Sequence, residues 1–177
     1  MSMTLSSDDV RWRGLTKVEG RRVRAFQEWI DLESRWGRNL GDLLHQIAVD
    51  RILLAEEFLA MGDAMYRSRK DLSRSSISRY YYAIYHGLRA VAFHAAEGDD
   101  NQDHSKLGKG IPADFPDRAL VVNRLNDARI WRNEADYDPY PQFGNYFTST
   151  EKALRPVAHD TVAQARDYLR GKGNPYV

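Results

Sequence analysis

The chain has 177 residues, no cysteine and a formal net charge of +1, which suits one domain with room for a small appendage. Hydrophobic residues make up 42%, enough for a packed core and too many for a disordered chain. The lack of cysteine excludes a disulfide framework, a thiol nucleophile and thiolate-ligated zinc, and the near-neutral charge confines any basic surface to a local patch.

Alternating strand patterns are scarce and helical periodicity recurs along the chain. Residues 1–22 read as a basic arm: from Arg11 to Arg24 there are six Lys or Arg against Glu19 alone. The plain reading is a solvated leader, the other an arm that touches phosphate. No apolar run approaches the roughly 20 residues that span a bilayer, and the opening MSMTLSSDDVRWRG lacks the apolar centre of a signal peptide. The expectation is a cytoplasmic protein without membrane contact.

An additional helical segment occupies residues 23–49. Its first helix covers Val23 to Arg35, with Phe26, Trp29, Ile30 and Leu32 as apolar residues, and WGRN breaks it. Asn39 with Asp42 makes a capping box that starts a long helix. There Leu40, Leu43, Leu44, Ile47, Leu54, Phe58, Met61 and Met65 form the expected core stripe. Arg51 sits within it and is expected to snorkel or to pair with Asp50 or Glu57.

The helical bundle proper is assigned to residues 50–177. From Asp71 to Ala96, Ile77, Tyr81, Ile84, Leu88 and Val91 form one apolar stripe at 3.6-residue spacing, while Ala83, Gly87 and Ala90 form a small-residue stripe that lets another helix come close. Arg79, Tyr82, His86, Arg89 and Phe93 gather on the opposite side. This is the expected central helix, buried on more than one side. A polar loop follows, with one short helical turn after His104. Asp114 or Asp117 caps the next helix, whose inward stripe is Val121, Leu125, Ala128, Arg132 and Ala135. DPYPQFGN ends it. Thr148 with Glu151 reads as a capping box for the last helix. That helix presents Leu154, Val157, Ala158, Thr161, Val162, Ala165 and Leu169 on one face, with Pro156 expected to kink it or mark its first turn. The fold class is all-α, an up-and-down bundle of four to five helices.

Several weak signals carry no chemistry. KLGKG (Lys106 to Gly110) echoes a phosphate loop but lacks the GKS/T ending and a preceding strand. Asp99, Asp100, Asp103 and His104 lack the ligand spacing of an EF-hand, so no metal and no cofactor is expected.

Two segments together carry a resemblance. SRYYYAIYHGLRAVAF (Ser78 to Phe93), followed by DHSK and then LNDARIWRNEADYD, resembles the HEPN domain, over about two thirds of the chain from Asp50 to Gly171. The branch it resembles has S-R-x-Y-Y-A-x-x-H on the central helix and R-x-x-A-D-Y at the end of a later one. The resemblance implies a helical bundle that forms homodimers, binds RNA or a nucleotide, and is encoded beside a minimal nucleotidyltransferase in toxin–antitoxin or defence modules. Some such domains are metal-independent ribonucleases with an R-x(4–6)-H motif, in which arginine holds the scissile phosphate and histidine moves the 2′-hydroxyl proton.

Here the chain departs from that motif. Arg132 and Asn133 match its start, but Tyr137, preceded by Asp136, stands where the histidine belongs. Tyrosine, with an ordinary pKa near 10, is a poor base at neutral pH. Arg79 and His86 satisfy the spacing on the central helix, on one face, but on a different helix from the family motif. The residues expected to carry chemistry are therefore Arg132, Tyr137 and His86, and those expected to bind RNA or nucleotide are Arg79, Tyr82, His104, Asn133 and Asp136. Three functions stay open: a binding module with a degenerate motif, a ribonuclease toxin with a rearranged site that uses Arg132, Tyr137 and a histidine from another segment, and a scaffolding bundle. Arg132 and Asp136, at i and i+4 on an inward stripe, are either an ion pair that fixes helix register or part of a polar cleft.

Overall fold

A computed structural model of the chain describes residues 20–96, 104, 106–140 and 143–177. The basic arm up to residue 19 and Asp99, Asp100 and Asp103 of the acidic loop lie outside them. The described residues form six helices and no strand: α1 (Gly20–Trp36), α2 (Leu40–Tyr66), α3 (Ser73–Ala95), α4 (Leu107–Gly110), α5 (Arg118–Tyr137) and α6 (Tyr146–Gly171). The protein is all-α. Two compact units divide it, residues 1–43 and 44–177, with the division inside α2.

In the first unit α1 ends at Gly37, whose φ of +63° is a left-handed conformation that glycine adopts without steric cost. The expected cap follows: the Asn39 side chain accepts from the Asp42 amide at 2.8 Å, and Arg38 pairs with Asp42 at 2.5 Å. The apolar face expected of α1 is not a buried one, because Phe26 and Ile30 are exposed.

The second unit is built around α3. Ile77, Tyr81, Ile84, Leu88 and Val91 are all buried, and so are Tyr80, Ala83, Gly87 and Ala90. The small-residue stripe does what small residues allow: a Cβ on Gly87 would lie 3.5 Å from a Val162 methyl and 3.7 Å from the Ala165 Cβ, so α6 rests directly against α3. On α6, Leu154, Ala158, Thr161, Val162, Ala165 and Leu169 are buried as expected. The helix runs through Pro156, so its missing amide removes one hydrogen bond without ending the helix. On α5, Val121, Leu125, Ala128 and Ala135 are buried. The connection between α3 and α5 is anchored by the buried Leu107, Ile111 and Phe115, and Arg118 donates to the Ile111 carbonyl at 2.8 Å.

Three local expectations need correction. The buried stripe of α2 runs through Leu43, Ala48, Val49, Ile52, Ala55 and Leu59, while Leu54 and Met61 are exposed. This helix is apolar on most sides, so large residues alone misplace its core face, which also holds the small Ala48 and Ala55. Asp117 occupies the cap position of α5 but has φ +49° and makes no side-chain cap bond, whereas Asp114 accepts from Tyr168 at 2.9 Å and from Lys172. Finally, α6 begins at Tyr146 with Asn145 before it, so Thr148 lies within its first turn and Glu151 is a buried side chain, not a capping one.

Where α2 crosses α3, the Tyr80 ring lies against Gly62. A Cβ there would come within 2.7 Å of a ring carbon. The ring cannot step aside, because Tyr80 is fully buried and its hydroxyl donates to Asp63 at 2.9 Å. The Asp63 carboxylate also accepts from Arg155 at 2.8 Å and faces His159 at 3.2 Å. The Arg155 bond foremost, then those of His159 and Tyr80, hold its pKa well below the usual carboxylate range against the opposing effect of burial.

Two tests follow from this crossing. Gly62→Ala is expected to destabilise the protein by about 1–3 kcal/mol through overpacking, while Gly87→Ala is neutral or mildly stabilising, since its new methyl meets ordinary contact distances and helix propensity improves; urea unfolding of both variants measures the difference. Asp63 has a depressed folded pKa, so its contribution is complete above the unfolded value near 3.9 and is lost as pH falls through that value toward the folded one. Asp63→Asn should therefore be less stable than the wild type at pH 7, by about 2 kcal/mol after screening at the half-exposed Arg155, and the gap should shrink in unfolding curves taken near pH 3.

Candidate functional site

The polar side of α3 forms a face with α5 and the middle of α2. Tyr82 is its centre. Arg132 of α5 donates to the Tyr82 hydroxyl at 3.0 Å and to the Asn133 side-chain oxygen at 3.1 Å. Its guanidinium carbon lies 5.5 Å from the ring centres of both Tyr82 and Tyr137, so the cation sits between two aromatic rings. Arg132 Nε is also 2.8 Å from Asp136 Oδ2, an ion pair in which the N–H is not aligned as a hydrogen bond. Ser78 of α3 donates to the other Asp136 oxygen. The pair is partly open to solvent, with 20% of the Arg132 side chain and 28% of the Asp136 side chain exposed. It is neither a sealed core pair nor a loose surface one.

Further along α3 lies a set of stacked rings. His86 stacks on Phe58 of α2 with centroids 5.4 Å apart and planes 1° from parallel, and Phe58 stacks in turn on Tyr82. The Arg79 guanidinium is 5.7 Å from the Phe58 ring centre, with its Nε buried and, among the described residues, without a hydrogen-bond partner. Arg51, expected to snorkel or pair with a neighbouring acid, places its guanidinium 4.4 Å over the Phe93 ring.

His104 reaches this face from the loop after α3. Its ring lies on Tyr85 at 4.0 Å and 10°, and its Nδ1 is 2.6 Å from the Tyr81 hydroxyl. Burial foremost, then the neighbouring Tyr85 and Tyr82 phenols, push the Tyr81 pKa up to about 12. Tyr81 therefore keeps its proton and donates it to Nδ1 when the imidazole carries its own proton on Nε2.

The two histidines differ in character. Burial foremost, then the charges of Arg89, Arg51 and His104, push the His86 pKa down to about 4. At neutral pH it is an uncharged imidazole, and its buried Nδ1 has no hydrogen-bond partner among the described residues. A group with so low a pKa is a feeble base at pH 7.

All eight residues singled out from the sequence lie on or beside this face. His86, Arg79, Tyr82 and His104 join through rings on α3 and its loop; Arg132, Asn133, Asp136 and Tyr137 form the α5 edge. Sequence reasoning missed Phe58, which reads as one more apolar residue of α2, together with Tyr81 as the partner of His104 and Ser78 as the partner of Asp136. The run of three tyrosines was the available signal for Tyr81. For Phe58 there was none, because its role depends on which helix lies across it. Among the described residues no three His, Asp or Glu side chains are grouped so as to hold a metal ion, and no helix is long and apolar enough to cross a membrane.

Compared with known proteins, the chain matches no family model and no curated sequence.

Two outcomes are expected of the site itself. Asp136→Ala should cost about 1–2 kcal/mol in urea unfolding, less than a sealed pair would, because water screens the exposed part of both groups; Asp136→Asn, which keeps an acceptor for Ser78, should cost less. The His86 ring should titrate with a midpoint near 4 in heteronuclear NMR, since its charged form is disfavoured by burial and by neighbouring cations.

Proposed function

We propose that this chain is a HEPN-like protein that binds RNA or a nucleotide on the arginine and aromatic face of α3 and α5, and does not cut it. One observation carries the reading: the Arg132 guanidinium lies between the rings of Tyr82 and Tyr137, beside a run of stacked aromatic and imidazole rings. Planar rings offer surfaces for bases, and a guanidinium offers paired donors for a phosphate. Tyr137 is 72% exposed, so one of the two rings is open to a ligand.

The absence of cutting follows from proton chemistry. Tyr137 occupies the motif position of a histidine, and His86 is held neutral with a pKa near 4, well below the value that general-base catalysis at neutral pH prefers. His104 has its Nδ1 2.6 Å from the Tyr81 hydroxyl, so that nitrogen is engaged by a phenol and does not face the guanidinium of Arg132. The partners proposed with this function are a second copy of the chain in a homodimer and a minimal nucleotidyltransferase, and the place of action is the cytoplasm. The exposed Ile130, Tyr137, Tyr140 and Phe143 beside the site offer apolar surface for association.

Purified protein incubated with labelled RNA and a chelator tests the reading. Binding without cleavage is expected, weakened about tenfold in Arg132→Ala and with a shallower salt dependence, as one phosphate contact is lost. Robust cutting that disappears in both His86→Ala and Arg132→Ala would replace this reading with a ribonuclease that uses Arg132, Tyr137 and a histidine. Light scattering across micromolar concentrations should give a dimer mass.

A further inference from the structure

Away from the α3–α5 face, a second group of titratable side chains lies where the second turn of α2 meets the last turn of α3. His45 of α2 and His94 of α3 are both half-buried, with ring centroids 5.3 Å apart and planes tilted by 42°. The buried His45 Nδ1 has no hydrogen-bond partner among the described residues. The charges that act on His94 there are those of His45 and Lys172, and neither is negative. The acids nearest to His45 along α2 are committed to other groups: Asp42 pairs with Arg38, and Asp50 accepts from Gln46 at 2.9 Å. Two imidazoles thus face each other with no carboxylate to favour their charged forms.

The segment after α6, residues 172–177, is tied to this pair. Gly173, with φ +78°, turns the chain, and the Asn174 amide returns to the Leu169 carbonyl at 3.1 Å. The Asn174 side chain is 4% exposed and donates from Nδ2 to the carbonyl of His45 at 3.0 Å. Its Oδ1 accepts from the Tyr176 amide, also at 3.0 Å. Lys172 is held by Asp114, yet its charge reaches His94. Apart from Val177, which packs at the edge of the core, the ties of this segment are a few polar bonds. The helices that carry the histidines are fixed far more firmly, through the buried Ala48, Val49 and Ile52 on one and Leu88 and Val91 on the other.

We infer that His45 and His94 form an acid-sensitive latch for residues 172–177: with both imidazoles neutral the segment stays docked, and protonation of the pair releases it. A proton on one ring disfavours a proton on the other, and Lys172 adds a third positive charge. Like charges are relieved when water reaches them, and the segment is the part that leaves without opening the core. Burial foremost, then the charges of His45 and Lys172, hold the His94 pKa below its ordinary value. A folded value below the unfolded one makes this contribution to docking complete above about pH 6.5 and lost as pH falls below it. The linkage is reciprocal, so anything that detaches the segment makes the pair easier to protonate.

The experiment is NMR of the full chain across a pH series, with amide exchange corrected for its intrinsic pH dependence. Between about pH 7.5 and 5.5 the Asn174 and Tyr176 amides should lose about tenfold in protection, while those of residues 84–91 in α3 keep theirs. His94→Gln removes the titrating group without adding charge and should hold the protection of the segment constant over that range. Asn174→Ala cuts the tie to α2, and the titration midpoint of the His94 ring should then rise toward the ordinary histidine value. Protection that persists to the acid end of the range, an equal loss in His94→Gln, or a His94 midpoint unmoved by Asn174→Ala would overturn the latch. So would a parallel loss along α3, since the whole bundle would then be opening. The readout needs no RNA, so this inference and the RNA-binding reading can fail separately.

Discussion

The structure of residues 44–177 depends on how closely other helices approach α3. Gly62 lets α2 lie against the Tyr80 ring, and α6 packs on the small-residue stripe of α3 at Gly87, where a methyl would still meet ordinary contact distances. Those two contacts bring the backbones together on two sides of one helix and leave a third side for polar work. The Tyr80 hydroxyl ends on Asp63, and that carboxylate in turn collects Arg155 and His159 from α6. One buried ring thus ties three helices together, its body through packing and its hydroxyl through charge. The stability of the crossing is a matter of shape on one side of the ring and of protonation on the other.

With two sides of α3 closed, Arg79, Tyr82, His86 and Arg89 are left half-buried. Half-burial gives them their chemistry. Full exposure would leave His86 near its ordinary pKa; its position under Phe58 and beside Arg89 and Arg51 holds it neutral instead. Arg132 keeps its charge between two rings because Asp136 and the Tyr82 hydroxyl face it. The rings that fill the space between α2 and α3 thus also set the charge state of the polar side chains beside them.

Much of this was legible in the sequence because α3, α5 and α6 carry separate stripes for separate neighbours. Large apolar residues, small residues and polar residues each keep a constant spacing on α3, so its three sides could be assigned before any coordinates. The same approach misplaced part of the buried face of α2, where apolar residues occur nearly all round and the small Ala48, Ala55 and Gly62 are buried while Leu54 and Met61 are exposed. It also read Thr148 and Glu151 as a capping box, since the pattern describes sequence spacing and cannot say that the cap position is Asn145, three residues earlier. Pairings between distant segments, such as Ser78 with Asp136 or Tyr81 with His104, leave no periodic trace. They are set by which helices become neighbours.

Arg74 has a bearing on how the chain could change over time. Its guanidinium holds the Ala135 carbonyl near the end of α5 and covers Phe147 in the first turn of α6, while Tyr146 donates to Glu134 across the same gap. Both ends of the connection between these helices are therefore fixed by contacts that do not involve the residues joining them. Lengthening a loop between fixed ends costs only about 0.6 kcal/mol per doubling. The segment between Tyr137 and Tyr146 is thus a position where inserted sequence, even a small folded module, can be accommodated beside Arg132 and Tyr137 without disturbing the helices that carry them.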